Sequence, residues 1–213
     1  MVLAGCQVRS TVVIDAGADG SGEVEVRVVL DRDAAARVPD LDVRVDDLVR
    51  AGWDVEPLRR QPGGGLSVAA RHDFRSPAEA DRLLDQVSGE GGVLQGFRLD
   101  RDRTFLETRT RLSGVIDLTG GVARFSDSDL AERLGGLPLG VDPAGLAPLD
   151  EALRLDVVAE LPGGTSRWEA RPGDQVPVAA VAEQWNVASI VLALLALLCA
   201  VACALAVRRV RRR

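Results

Sequence analysis

Few side chains in these 213 residues are of the types that make, break or hold bonds. The chain has one histidine, His72, on the apolar side of a strand pattern that runs Leu66, Val68, Ala70, His72, Phe74. In that place it reads as a hydrogen-bonded core or rim residue before it reads as a general base. One histidine and no paired cysteines outside the apolar C-terminal run give no metal-ligand set. Gln61–Gly65 (QPGGG) precedes a strand, not the Lys-Ser start of a helix, so it is a turn and not a phosphate cradle. No G-x-S-x-G elbow occurs. Carboxylates are abundant but fall on solvent faces. No catalytic residue, metal or cofactor is expected.

What remains is binding chemistry. Trp53 and Trp168 are two of three tryptophans in a chain with 3% aromatics. Each either fills the core or lines a pocket for a lipid or sugar ring. Arg109 and Arg111, two apart on one strand, either clamp an anionic headgroup or pair with neighbouring acids. Cys6 ends the run Leu3-Ala4-Gly5-Cys6, which matches a lipobox, the motif in which the cysteine is diacylated and becomes the new N-terminus. The charged and apolar regions that precede a lipobox are missing, and the expectation is that they lie upstream of Met1. The alternative is a tail-anchored chain with an unmodified Cys6. Cys199 and Cys203 lie within the apolar run and read as small apolar residues.

The elements that must position these residues alternate with period two through most of the chain. Val8, Val12 and Ile14 share a face; beyond the Gly/Asp-rich connection Ala16–Gly22, so do Val24, Val26, Val28 and Leu30, with Glu23, Glu25 and Arg27 opposite. The two runs predict an antiparallel hairpin. Ser76-Pro77-Ala78-Glu79 predicts a helix start with a capping box, the helix running to about Val87 with Leu83, Leu84 and Val87 inward. Shorter helices are expected over Asp42–Ala51 and Ser126–Leu134, and strands around Phe97–Leu99, Leu106–Leu118 and Leu153–Leu161. The Pro/Gly/Ala-rich segment 171–186 reads as a linker.

Val187 to Val207 is an uncharged stretch of about 21 residues, about 31 Å as a helix, which predicts a transmembrane span. Five of the 26 arginines fall in the tail 208–213, which predicts a cytoplasmic C-terminus at the cell membrane, with Trp185 at the headgroup level and the bulk of the chain extracytoplasmic. The tail removed, 21 arginines face 32 acids, a formal charge of −11, which disfavours nucleic acid and anionic membrane as broad partners. The expected division is 1–6 lipobox remnant, 7–170 folded domain, 171–186 linker, 187–207 span and 208–213 tail.

In order, the chain offers a lipobox cysteine, a hairpin, a GW-x-V-x-P segment (Gly52, Trp53, Val55, Pro57), a Gly-rich turn, a strand ending in Phe74, the helix Ser76–Val87, later strands, one C-terminal helix and an arginine tail. That order resembles the actinobacterial LppM-type lipoproteins over most of the chain. The resemblance implies an exported α+β domain with a curved antiparallel sheet (a partial barrel), two to three helices packed on it, and a membrane tether. It also implies contact with envelope lipid or glycolipid. The family usually carries an aromatic near the GW segment and a full signal peptide; here Leu58 follows Pro57, and tyrosine is absent. Two functions follow as expectations. One is a non-catalytic lipoprotein holding lipid in the concavity between sheet and helices. The other is a protein-interaction subunit of an envelope or secretion assembly, whose charge of −11 awaits a basic partner. A continuous cavity favours the first, a solid core with an exposed apolar or acidic patch the second.

Overall fold

The computed structural model describes residues 7–36, 48–88, 92–121 and 152–211. Cys6, the predicted helix Ser126–Leu134 and most of Asp42–Ala51 lie outside them.

Strands β1 (Val8–Ala16) and β2 (Gly22–Leu30) form the predicted hairpin, with Val12 opposite Val26 and Ile14 opposite Val24. A one-turn helix α1 (Arg32–Ala35) follows, its start held by Asp31, which accepts from Ala34 N–H and from Gln7 N–H. Short strands β3 (Asp54–Val55) and β4 (Arg59–Arg60) both pair with β5 (Leu66–Phe74), which lies along β2. Helix α2 (Pro77–Ser88) comes next, then β6 (Leu94–Arg103) and β7 (Glu107–Asp117). Strands β8 (Leu153–Leu161), β9 (Gly164–Ala170) and β10 (Gln175–Trp185) and helix α3 (Val187–Arg211) complete the chain.

The protein is α+β, mostly sheet, and the expected single curved sheet or partial barrel is corrected to two open sheets. The large sheet has the order β3-β5-β2-β1-β8-β9, with β4 also on β5; the small one has the order β10-β7-β6. The large sheet is mixed, because β8 joins β1 in parallel, Val8 beside Leu153 through Asp15 beside Glu160. A strand that returns after a long excursion is free to pair in either direction, unlike one held by a short turn. The sheets share one core that includes Ile14, Val24, Phe74, Leu84, Phe97 and Leu155. On β7, Gly114 leaves the space that the Phe97 ring fills: a Cβ there would lie 2.5 Å from the ring.

Of the described helices, α2 is the one that packs broadly on a sheet, setting Ala80, Leu83 and Leu84 against the core and running along β6. Its start differs in detail from a capping box: Glu79 reaches back to accept from Arg75 N–H at 2.9 Å, not from the N–H of Ser76. Asp81 accepts from Leu99 N–H at 2.8 Å and ties the helix to β6.

The predicted linker is also corrected. Gln175–Trp185 is β10, paired with β7 along its whole length. Its inward positions Val178 and Ala180 are buried, but small side chains and Pro177 hide the period-two signal. Pro177 is tolerated because β10 edges the small sheet. Among the described residues, no helix is long and apolar enough to cross a membrane. The span expected over Val187–Val207 is therefore corrected, and the single-pass topology built on it goes too. Helix α3 itself forms over Val187–Arg211.

Candidate functional site

The predicted site residues do not converge. Trp53 is 3% exposed, packed edge-on against His72 with ring centroids 5.5 Å apart, and its Nε1–H has no acceptor among the described residues. His72 turns its Nδ1 to the carbonyl oxygen of Asp73 at 2.7 Å. Trp168 is half-buried on β9 and packs against the core from there. Arg109 lies on the solvent side of the small sheet, where it donates through Nε and Nη2 to Glu183 at 3.0 and 2.7 Å, with Glu107 at 3.8 Å. Arg111, exposed on the same strand, stands between Asp100 of β6 and Val181 of β10. The tryptophans thus face the interior while the arginines face away from it.

The feature that the fold assembles is the outer side of the large sheet. Positions whose neighbours point into the core alternate with positions that point out, and register carries the outward ones across four strands. Asp73 of β5 stands beside Glu23 of β2, Glu23 beside Asp15 of β1, and Asp15 beside Glu160 of β8. Four carboxylates therefore cross the sheet in one row. The next row reads Arg71, Glu25, Val13, Val158, Arg167. Here charge is compensated: Arg71 donates to Glu25 at 2.7 Å and lies 2.8 Å from Glu56, and Arg27 pairs with Glu25 at 2.7 Å. The carboxylate row has only Arg71 at 3.8 Å from Glu23, and among the described residues Asp15, Asp73 and Glu160 have no ion-pair partner.

Between the rows lies an open cavity of about 460 Å³ lined by Thr11, Val13, Glu23, Val158, Glu160 and Arg167, among others. Partial burial pushes the Glu23 carboxyl above its ordinary value; Arg71 pulls it down, and Asp73, Glu25 and Asp15 push it up again. Like charges directly opposite each other in a sheet weaken it. On this face Asp15, Asp73 and Glu160 are exposed, Glu23 and Val13 are half-buried, and Val158 is 5% exposed.

Sequence reasoning saw Glu23 and Glu25 as the polar side of one strand. It missed the row, because Asp15, Asp73 and Glu160 are separate acids until register aligns them. A second cavity, of about 510 Å³ and mixed lining, lies at the opposite end of the large sheet beside Arg9, Val29, Leu30, Arg32, Gln61 and Pro62.

No family model matches the sequence, and no curated protein does. Among solved structures, the folded domain of the Mycobacterium tuberculosis LppM protein, determined by NMR, is similar at 14% identity, with a TM-score of 0.45. The likeness covers 89% of this chain and 96% of that one. At that identity two chains need share no site.

Proposed function

We propose that this protein is a non-catalytic interaction module of the cell envelope, and that the outer face of its large sheet receives a basic protein partner. The observation that carries this reading is the carboxylate row Asp73, Glu23, Asp15, Glu160 on an open face. An uncompensated row costs stability, and a partner that brings arginine or lysine to it relieves that cost on binding. Such a surface also speeds encounter with a cationic partner and makes the association sensitive to salt. The neighbouring half-buried Val13 supplies apolar surface beside the charged rim.

The reading of a lipid or glycolipid held between sheet and helices draws less support. Phe74 and Phe97 are among the largest fully buried core side chains, and the two cavities of about 460 and 510 Å³ are lined by the large sheet and the turns beside it.

The test places a photo-crosslinking residue at Thr11, on the proposed face, and in a second chain at Arg98, on β6. A partner adduct at Thr11 that is absent at Arg98, and that disappears in Asp15→Asn/Glu160→Gln, is expected. Equal adducts at both positions, or adducts indifferent to the two neutralisations, would overturn the assignment.

A further inference from the structure

The outer side of the large sheet changes sign along its strands. Beyond the carboxylate row and the compensated row beside it, register aligns Arg27, Thr11, Asp156 and Glu169. The row after that reads Arg59, Ser67, Val29, Arg9, Arg154, with three arginines and no acid. Arg9 is exposed, has no ion-pair partner among the described residues, and lines the cavity of about 510 Å³ with Val29 and Arg32. The acidic and basic rows thus use the same strands, Asp15 and Arg9 on β1, Glu160 and Arg154 on β8. Six residues of strand separate them, about 20 Å.

Two such faces meet differently according to the axis that relates them. A two-fold axis along the strands lays acid on acid and base on base. A two-fold axis across the strands, at the level of Val12 on β1, reverses strand direction and exchanges the two ends. Asp15 then stands over Arg9 of the second copy, and Glu160 over Arg154. The inner rows agree: Glu25 stands over Arg27 on β2, and Arg167 over Glu169 on β9. Asp73 falls over Ser67, beside Arg59. Glu23 over Val29 and Asp156 over Val158 gain no cation. Within these four rows no like charges meet.

We infer that the basic partner of the acidic face is a second copy of this chain, docked sheet to sheet about that axis. This deepens the reading above and rests on its claim that the face is a docking surface. Sheets packed face to face lie about 10 Å apart with strands about 30° out of line, so the match is closest on the central strands β2, β1 and β8. Five strands about 4.8 Å apart, over about 20 Å of length, give about 500 Å² per copy, against about 800 Å² per partner in a stable complex. The association is therefore weak and reversible, with charge setting its register, and the chain is monomeric at the low micromolar concentrations of an unfolding experiment.

Sedimentation equilibrium of the full chain, carried to about 500 µM so as to reach weak dimers, tests this. Asp15→Arg and Arg9→Asp, each checked for folding by thermal unfolding, should each weaken self-association about tenfold, because each sets like charges across the axis twice. An equimolar mixture of the two should return to within about threefold of wild type, since every contact between positions 15 and 9 then joins unlike charges again. If Asp15→Arg does not fold, Glu160→Arg mixed with Arg154→Glu repeats the test on β8. A dimer untouched by the single reversals, or a mixture as weak as either variant alone, overturns the inference, because the copies then meet elsewhere. A chain that stays monomeric throughout overturns it too. The wider reading fails separately. If the crosslinker at Thr11 captures a different basic protein, lost in Asp15→Asn/Glu160→Gln, the acidic face keeps its role and the second copy is not its occupant. If Thr11 captures neither, both readings fall.

Discussion

Neutralising the centre of the carboxylate row should make the protein more stable. Asp15 is exposed and stands directly opposite Glu23 on one side and Glu160 on the other. Like-charged cross-strand neighbours each cost about 0.2–1 kcal/mol. Exposure screens the interaction, so about 0.5 kcal/mol per neighbour is the appropriate scale, and Asp15→Asn removes two such repulsions while keeping the side chain's shape. The gain is about 1 kcal/mol, which for a domain of this size raises Tm by about 2–4 °C. The assay is thermal unfolding at low salt and again near 1 M salt, where the Debye length shrinks to about 3 Å. Wild type should gain from salt, and Asp15→Asn should gain less, since part of the repulsion is already gone. Glu183→Gln is the opposing control. It removes the negative charge that Arg109 pairs with, leaving a neutral amide oxygen as acceptor, and its Tm should fall. A Tm for Asp15→Asn equal to or below wild type at low salt would refute the view that the row is strained. A row that costs stability and persists is what a binding surface leaves behind.

Other consequences follow from single contacts. The Glu23 carboxyl is raised above 4.5 by burial first, so its contribution to stability is fully present below that pH and is lost as pH rises through the folded-state value. Glu23→Gln should accordingly flatten the fall in stability with rising pH over that window, measured by urea unfolding at a series of pH values. Gly114→Val should destabilise by about 1–3 kcal/mol, because the new Cβ meets the Phe97 ring at 2.5 Å; adding Phe97→Leu should recover part of the loss in the same urea titration. Asn186→Ala removes the side-chain bonds to Thr104 and Thr108. At about 0.5–1.5 kcal/mol per bond, exchange in segment 104–108 should accelerate several-fold while the β1–β2 hairpin is unaffected.

Where local chemistry decides local structure, the sequence spoke clearly. The alternation of Val8 to Leu30 contains the β1–β2 hairpin, and Ser76-Pro77 followed by Glu79 marks the start of α2 within a residue of its place. The inward set Leu83 and Leu84 follows from helical spacing alone. β10 was hidden, because its inward residues include alanines and its second position of contact with β7 is next to a proline, a composition that also describes a linker. The length and apolarity of the C-terminal run gave a helix, Val187–Arg211, but not the membrane crossing expected of it.

The sequence by itself determined which residues alternate, where α2 begins, and that acids outnumber arginines. Only the tertiary structure decided that β8 lies parallel to β1, and with it that Glu160 joins Asp15, Glu23 and Asp73 in a single row. It also decided that Asn186 holds the loop carrying Phe105 and Leu106 against the root of α3. The reason is physical: periodicity is set by the backbone of one strand and reports which side a residue takes. Which strand lies beside it, in which direction and at what offset, is set by how the whole set of apolar faces closes over one core.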